Sequence, residues 1–198
     1  MNYGIIIDEF IQCDALVFIK KMIAKYKLDS IEIKKDWIEK CNDWKNKYPV
    51  VLPEYSQNEN LINTYYFTDR LSEALNDKDV IIIDSGSSSY VVSQAIRIKY
   101  GQRFLASGGL GSMGYAIPAA IGASTALNGG RIIVVTGDGS FHMNVQELET
   151  IVYNNLPVKI IVFHNNGYSS IKATQQNYVN DRYIGVDDQS GVGMPDLL

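Results

Sequence analysis

The sequence predicts an α/β fold built on a doubly wound, mostly parallel sheet. Three short apolar runs, at Val80–Ile83, Ile132–Val135 and Ile160–Phe163, each end in a cluster of small or polar residues. Segments with apolar residues at helical spacing lie between them, and strands that alternate with helices form a parallel sheet covered by helices. The chain has 198 residues, of which 46% are hydrophobic. That is enough for one good core and a piece of a second domain.

Composition excludes several classes of protein. The net charge is −4 and no basic stripe is present, so we expect no nucleic-acid partner. No apolar run approaches the roughly 20 residues of a membrane span, and the first ten residues are too acidic for a signal peptide. Cys13 and Cys41 are isolated, which is typical of a reducing cytoplasm and argues against disulfides or a zinc site. We therefore expect a cytoplasmic protein without membrane contact.

The first 48 residues are typical of the end of another α/β domain. Ile5–Ile7 predicts a short strand, and the spacing of Leu16, Ile19 and Ile23 predicts a helix. A second helix is expected over Asp36–Tyr48. One strand and two helices cannot easily close a core, so we expect this segment to be a remnant of a central domain.

Residues 49–63 contain two prolines and a polar run, which predicts a linker before a domain over residues 64–198. Asp196–Leu198 resembles the first turn of a further helix, so we expect this domain to be truncated at its C-terminus. Helices are predicted around residues 67–75, 91–98 and 116–126, with strands at Val80–Ile83 and around residues 103–105.

The stretch from Arg131 to Tyr168 predicts a strand–helix–strand unit. Its first strand runs into Thr136–Ser140 and its second into His164–Tyr168. Between them Val145, Leu148, Ile151 and Val152 have helical spacing. Asn144, followed three residues later by Glu147, resembles a capping box and predicts that the helix begins there.

Asp138 and Asn165 follow the two strands of this unit. Since the carboxyl ends of parallel strands meet at one edge of the sheet, we expect the two side chains to lie close together. A carboxylate and an amide carbonyl are hard oxygen ligands, suited to Mg²⁺ or Ca²⁺. Gly139 and Ser140, near the next helix start, offer backbone N–H groups to a phosphate. The pattern therefore predicts a metal and phosphate site.

Other motifs are weaker. Gly109, Gly111 and Gly114 match the dinucleotide fingerprint GxGxxG by letter, but the preceding strand is short and the acidic residue at the expected distance is Asp138. No GxxxxGK[ST] phosphate loop occurs in the sequence. The G-D-G and N-N-G turns are each more often structural when they occur alone. The two motifs become a specific signal together, because each follows a predicted parallel strand and one helix separates them.

The pair G-D-G-S and N-N at this spacing resembles the signature of thiamine diphosphate (ThDP) enzymes. Ser107–Ala123, Gly137–Leu148 and Leu156–Val162 resemble segments of the ThDP-binding domain of acetolactate synthases and related 2-oxoacid enzymes. The resemblance covers roughly residues 64–198, and residues 1–48 resemble the end of the family's central domain. It implies an enzyme of the transferase or lyase type that forms or breaks bonds at a 2-oxoacid.

The resemblance also implies roles for individual residues. Mg²⁺ would be held by the side chains of Asp138 and Asn165 and by the backbone carbonyl of Gly167. Met113 would bend the cofactor into a V shape, and the Gly111 carbonyl would accept a hydrogen bond from its 4′-amino group. The remaining residues implied in cofactor binding, with diphosphate contacts from the two loops, are Gly86, Ser87, Ser88, Gly137, Gly139, Ser140 and Tyr168.

Four residues, in three places, depart from the acetolactate synthase pattern. Ser87-Ser88 stands where these enzymes carry Gln-His, and Thr174 stands where they carry a substrate-channel Trp. His164 replaces the first Asn of the usual pair. The first two departures favour a relative with another donor or acceptor.

The glutamate that activates the cofactor lies, in this family, on a separate pyrimidine-binding domain. We therefore expect that domain, on the same or another chain, and a homo-oligomer as partners. The isolated chain is expected to be inactive. The alternative is a cofactor-binding or interaction module without turnover, or one chain of a split enzyme. The sequence does not decide whether FAD is bound.

Overall fold

The computed structural model describes residues 4, 6–26, 34–57, 60–194 and 196–197. The chain divides into two compact units, Met1–Pro49 and Val50–Leu198.

The described part of the first unit contains two helices, α1 (Ala15–Lys25) and α2 (Lys35–Lys47), close to the two predicted ones. Helix α1 begins after Asp14, whose carboxylate accepts hydrogen bonds from the N–H groups of the first turn. In α2 the rings of Trp37 and Trp44 lie edge to face, with their centroids 5.8 Å apart.

The predicted N-terminal strand is wrong at the residues where it can be judged. Ile6 and Ile7 are exposed and lie outside any strand. Ile5 lies outside the described residues. An apolar triplet forms a strand only when a neighbouring strand is available to pair with it.

The second unit alternates strands and helices. A 3₁₀ turn at Pro53–Ser56 lies within the predicted linker. Asn63 caps the first helix by accepting hydrogen bonds from the N–H groups of Tyr65 and Tyr66. The elements are α3 (Thr64–Ala74), β1 (Val80–Ile83), α4 (Ser87–Ala95), β2 (Arg103–Ala106), α5 (Ala116–Ala126), β3 (Ile132–Gly137), α6 (Asp138–Met143), α7 (Glu147–Tyr153), β4 (Val158–Phe163) and α8 (Ser169–Tyr178).

The four strands form a parallel sheet in the order β2-β1-β3-β4. One face of the sheet packs against Phe67 and Leu71 of α3 and Val92 of α4. The other face packs against α5, through Ala116 and Ala120. The expected α/β fold with a parallel sheet covered on both faces is confirmed. Strand β1 and residues Ile132–Val135 of β3 are apolar because both faces of these strands are buried.

The helix predicted to begin at Asn144 is wrong in its start. Two helices occupy this region: α6 ends at Met143 and α7 begins after Gln146, which makes no side-chain cap. The capping box does not form: the side-chain oxygen of Asn144 accepts from the Gln146 side chain, and its amide nitrogen donates to the Gly114 carbonyl. Val152 is exposed, so only part of the predicted apolar face is buried.

The C-terminal part differs from the expectation in two respects. Helix α8 was not predicted, because it has no buried residues and therefore no apolar periodicity. Asp196 and Leu197 lie outside any helix, and Leu198, the end of the predicted turn, lies outside the described residues. Within the described ranges, no helix has the length and apolar character needed to cross a membrane.

Candidate functional site

Loops that follow all four strands meet at the carboxyl edge of the sheet, around a cavity of about 120 Å³. A pocket for a whole drug-sized ligand measures about 300–1,000 Å³, so this cavity has room for one end of such a ligand. Its lining residues come from the loops after β1, β2, β3 and β4: Ser85, Gly86, Ser87, Met113, Gly137, Asp138, Gly139, Ser140, Asn165, Gly167, Tyr168, Ser169, Ser170 and Ile171.

Asp138 is the charged residue of the cavity wall and is 1% exposed. Its Oδ1 accepts the N–H of Gly139 at 2.8 Å. Its Oδ2 accepts the N–H groups of Asn165 at 2.9 Å and Gly167 at 3.2 Å. These three bonds fix the orientation of the carboxylate at the junction of two strands. The predicted proximity of Asp138 and Asn165 is present in the structure.

Asn165 and Gly167, whose N–H groups donate to Asp138, also line the cavity. The side-chain amide nitrogen of Asn165 donates to Ser169 Oγ at 3.2 Å, so its side-chain oxygen is the atom left for a cation. The Gly167 carbonyl accepts the Ser169 N–H at 3.1 Å. Gly167 has a φ of +148°, and a Cβ there would lie 2.3 Å from the Val186 carbonyl oxygen. Only glycine fits this turn.

Three helices begin at the cavity. Helix α4 starts after Gly86, α6 after Gly137 and α8 after Tyr168, and none of these residues caps its helix with a side-chain hydrogen bond. The first N–H groups of a helix lack intrahelical partners and carry a partial positive charge. Several uncapped helix starts facing one cavity favour an anionic ligand.

Gly139 and Tyr168 are in direct contact across the cavity wall. A Cβ at Gly139 would lie 2.3 Å from Cε1 of the Tyr168 ring. The absence of a side chain at Gly139 is therefore what allows the ring to close over the start of α6.

His164 adds a polar group beside the carboxylate. Its Nδ1 lies 3.2 Å from Asp138 Oδ2, and its side chain is 34% exposed. In the part of the chain that the structure describes, no group of three or more His, Cys, Asp or Glu side chains could hold a metal ion. The predicted ligand set is of another kind, with one carboxylate, one amide oxygen and one backbone carbonyl.

All but two of the predicted cofactor-binding residues line the cavity. Ser88 is buried, and its hydroxyl donates to the Ser85 carbonyl at 2.9 Å. Gly111 lies in an exposed loop with a φ of +61°, and its N–H donates to the Ser107 carbonyl at 2.6 Å. Sequence reasoning missed the lining residues that directly flank the motifs, namely Ser85, Ser169, Ser170 and Ile171.

Asp84 is the other buried acid of this edge and was also missed. It is 4% exposed and does not line the cavity. Its Oδ1 accepts the N–H groups of Ser85 and Gly114, both at 2.9 Å, and its Oδ2 accepts that of Ala116 at 3.0 Å. The only sequence signal was its position directly after a strand.

Comparison with known proteins connects this site to a family. Residues 84–197 match the family model of the C-terminal TPP binding domain of thiamine pyrophosphate enzymes; thiamine pyrophosphate is another name for ThDP. The acetolactate synthase large subunit of Cyanidium caldarium is 31% identical over 189 residues. That of Pyropia yezoensis is 35% identical over 147 residues, and the acetolactate synthase of Mycobacterium bovis is 33% identical over 152 residues.

These alignments cover 93%, 74% and 77% of this chain, but only 31%, 24% and 24% of the relatives. The chain therefore spans less than a third of the length of the curated relatives that it matches.

Proposed function

Because the chain belongs to the thiamine pyrophosphate enzymes, through their C-terminal TPP-binding domain, we propose that it anchors the diphosphate end of ThDP through Mg²⁺. Asp138, Asn165 and the Gly167 carbonyl would hold the ion. The N–H groups at the starts of α4 and α6 would bind the diphosphate. The arrangement that supports this proposal is a buried carboxylate beside uncapped helix starts at one small cavity.

The residues present fit such a group in charge and in size. Asp138 supplies the negative charge that a divalent cation needs, and the helix starts supply the positive potential that a diphosphate needs. Mg²⁺ takes few protein ligands and leaves positions for phosphate oxygens and water. When bound, ThDP supplies a nucleophilic carbon and an electron sink for bond changes beside a keto group. The protein contributes orientation, charge and exclusion of water.

For the whole protein we propose a carboligase or decarboxylase that acts on a 2-oxoacid, of the acetolactate synthase-like kind. Ser87 lines the cavity where acetolactate synthases carry Gln. Thr174 lies on α8, with its hydroxyl donating to the Ser170 carbonyl at 3.0 Å. Both positions favour a donor or acceptor different from that of acetolactate synthases.

Turnover requires more than these residues, because the activating glutamate is expected on a pyrimidine-binding domain of the same or another chain. The second candidate function is therefore a binding module without turnover of its own. The pyrimidine-binding partner, the homo-oligomer and the cytoplasmic location stay predictions.

The test is thermal unfolding of the full chain with ThDP and Mg²⁺. At ligand concentrations of about 100 times Kd, binding stabilises a protein by about 2.7 kcal/mol, which raises Tm by roughly 5–10 °C for a domain of this size. Asp138→Ala should abolish the rise, and so should EDTA. Asp77→Ala, a change at an exposed aspartate outside the cavity, is the matched control and should retain it.

An Asp138→Ala protein with an unchanged rise would remove Asp138 from the metal site. A wild-type chain without any rise would refute cofactor binding. Pyruvate decarboxylation, measured as CO₂ release by the chain together with a pyrimidine-binding domain that carries the glutamate, separates the two candidate functions: an enzyme releases CO₂ and a binding module does not. The full chain without that domain is expected to release none.

A further inference from the structure

The loop that carries Met113 is hydrogen-bonded at Gly114 to two other segments of the site. The Gly114 N–H donates to Asp84 Oδ1 at 2.9 Å. Its carbonyl accepts the side-chain amide of Asn144 at 2.7 Å. Asp84 and Asn144 lie 30 positions before and after Gly114 in the sequence. One glycine is thus held by side chains from two other segments.

The carboxylate of Asp84 is held by several backbone hydrogen bonds. Asp84 accepts N–H groups from both Gly114 and Ala116, the first residue of α5. Helix α5 has no side-chain cap of its own, so a carboxylate from the end of β1 provides one. Negative charge at a helix start is favourable, and among the described residues Asp84 forms no salt bridge that would compete.

The Asn144 side connects the same glycine to the proposed metal site. Asn144 directly follows α6, the helix that begins with Asp138. Gly114 has a φ of +77°, and a Cβ there would lie 2.8 Å from Asn144 Nδ2 and 3.0 Å from Met143 Cβ. The close approach of the two segments therefore requires glycine at position 114.

Met113 directly precedes this glycine and lines the cavity together with Ser85 and Asp138. Ser85 follows Asp84, and Asp138 begins the helix that ends at Met143, directly before Asn144. We propose that Asp84, Gly114 and Asn144 form a clamp that sets the position of Met113 relative to the diphosphate-binding loops. The three are positioning residues, and their role rests on the proposed function. Without the clamp the diphosphate still binds, but the organic part of the cofactor loses its fixed apolar contact.

The experiment compares two probes, ThDP and inorganic diphosphate, each with Mg²⁺, by calorimetric titration of the full chain. Diphosphate reaches the loops after β1, β3 and β4 but has no organic part to contact Met113. Asn144→Ala should lower the affinity for ThDP at least 10-fold and change the affinity for diphosphate less than 3-fold. Asn154→Ala is the matched control, since Asn154 also follows a helix and donates to a backbone carbonyl, that of Thr150. It should change neither affinity.

Equal losses for both probes would overturn the clamp, because a general loss of structure predicts them, and so would an unchanged affinity for ThDP. Gly114→Ala, which crowds Asn144 rather than deleting it, should give the same selective loss. Hydrogen exchange of the Gly114 amide in the ligand-free chain is the independent measurement. In the Asp84→Asn variant the Gly114 amide should exchange at least 10-fold faster than in wild type. An unchanged exchange rate would refute the clamp even if wild type bound neither probe. A wild-type chain that binds neither probe refutes the proposed function itself.

Discussion

Two buried carboxylates stand at the same edge of the sheet, one after β1 and one after β3. Asp84 and Asp138 are 4% and 1% exposed, and each accepts three backbone N–H groups. Asp138 also borders the cavity and has His164 beside it. Asp84 borders no part of that cavity, and its partners are the backbone of its own loop and of the residues at the start of α5.

The difference shows how similar local chemistry serves two purposes. A carboxylate that is surrounded by backbone amides inside the protein fixes loops relative to one another. A carboxylate that is held in the same way but faces a cavity keeps its position and remains accessible to a cation. The adjacent strands β1 and β3 end at the same edge of the sheet, so the structural acid supports a loop of the cavity that the functional acid lines.

The largest expected effect of removing either acid is on the free energy of unfolding of the ligand-free chain. Asp84→Ala leaves buried N–H groups of Gly114 and Ala116 without acceptors, and should lower the free energy of unfolding by about 3 kcal/mol. Asp138→Ala leaves N–H groups that water in the cavity can reach, and should cost about 1 kcal/mol. Urea unfolding of the two variants measures the difference. Equal losses would contradict the division into a structural and a ligand-facing acid.

The contrast also explains what the sequence could and could not predict. Asp138 was predicted because glycines flank it and a second polar cluster follows the next strand. Asp84 was not, because its partners are backbone N–H groups 30 and 32 positions away, which leave no side-chain signature. For the same reason Asn144 was misinterpreted as a helix cap: its true partner is a distant carbonyl.

The strands were easier to predict than the helices around the site. Val80–Ile83 matches β1 at both ends, since a strand buried on both faces is apolar at every position. Ala116–Ala126 matches α5, a helix rich in small residues. Helix α8 has no buried residue, and no apolar period marks it. Local sequence therefore predicted the central strands, whereas long-range backbone contacts determined the details of the loops.

A second, smaller effect concerns Asp79, an acid at the opposite end of β1. It is 3% exposed, and Arg131 contacts it through two nitrogens, with Nε donating at 2.7 Å. Burial alone would raise the pKa of Asp79, but the hydrogen bonds from Arg131 and the Asn76 N–H outweigh it, so the pKa is lowered from 3.8. Unlike Asp84, this carboxylate is stabilised by a cation as well as by a backbone amide.

A group with a lowered pKa in the folded state contributes stability above its unfolded pKa and loses that contribution as the pH falls through its folded pKa. Asp79→Asn should therefore cost about 2 kcal/mol at pH 7, and the difference from wild type should shrink below about pH 4. Urea unfolding at pH 7 and pH 3 measures it, with Asp77→Asn as the control. A constant difference at both pH values would show that the ion pair does not carry the effect.

The smallest effect concerns a polar group that lacks the partners that both acids have. Ser124 in α5 is fully buried, and in the described part of the chain its hydroxyl is the one buried side-chain polar atom without a hydrogen-bond partner. Ser124→Ala removes this unpaired group and inserts a better helix former, so it should raise the free energy of unfolding by about 0.5–1 kcal/mol.

Thr125→Ala is the control for Ser124→Ala, because the neighbouring hydroxyl is exposed and already donates to the Ile121 carbonyl at 2.8 Å. It should change stability by less than about 0.5 kcal/mol. A loss on Ser124→Ala would mean that the hydroxyl is satisfied in solution, for example by water. The rule drawn from Asp84 and Asp138, that the buried polar side chains of this unit are hydrogen-bonded, would then extend to the opposite end of the sheet.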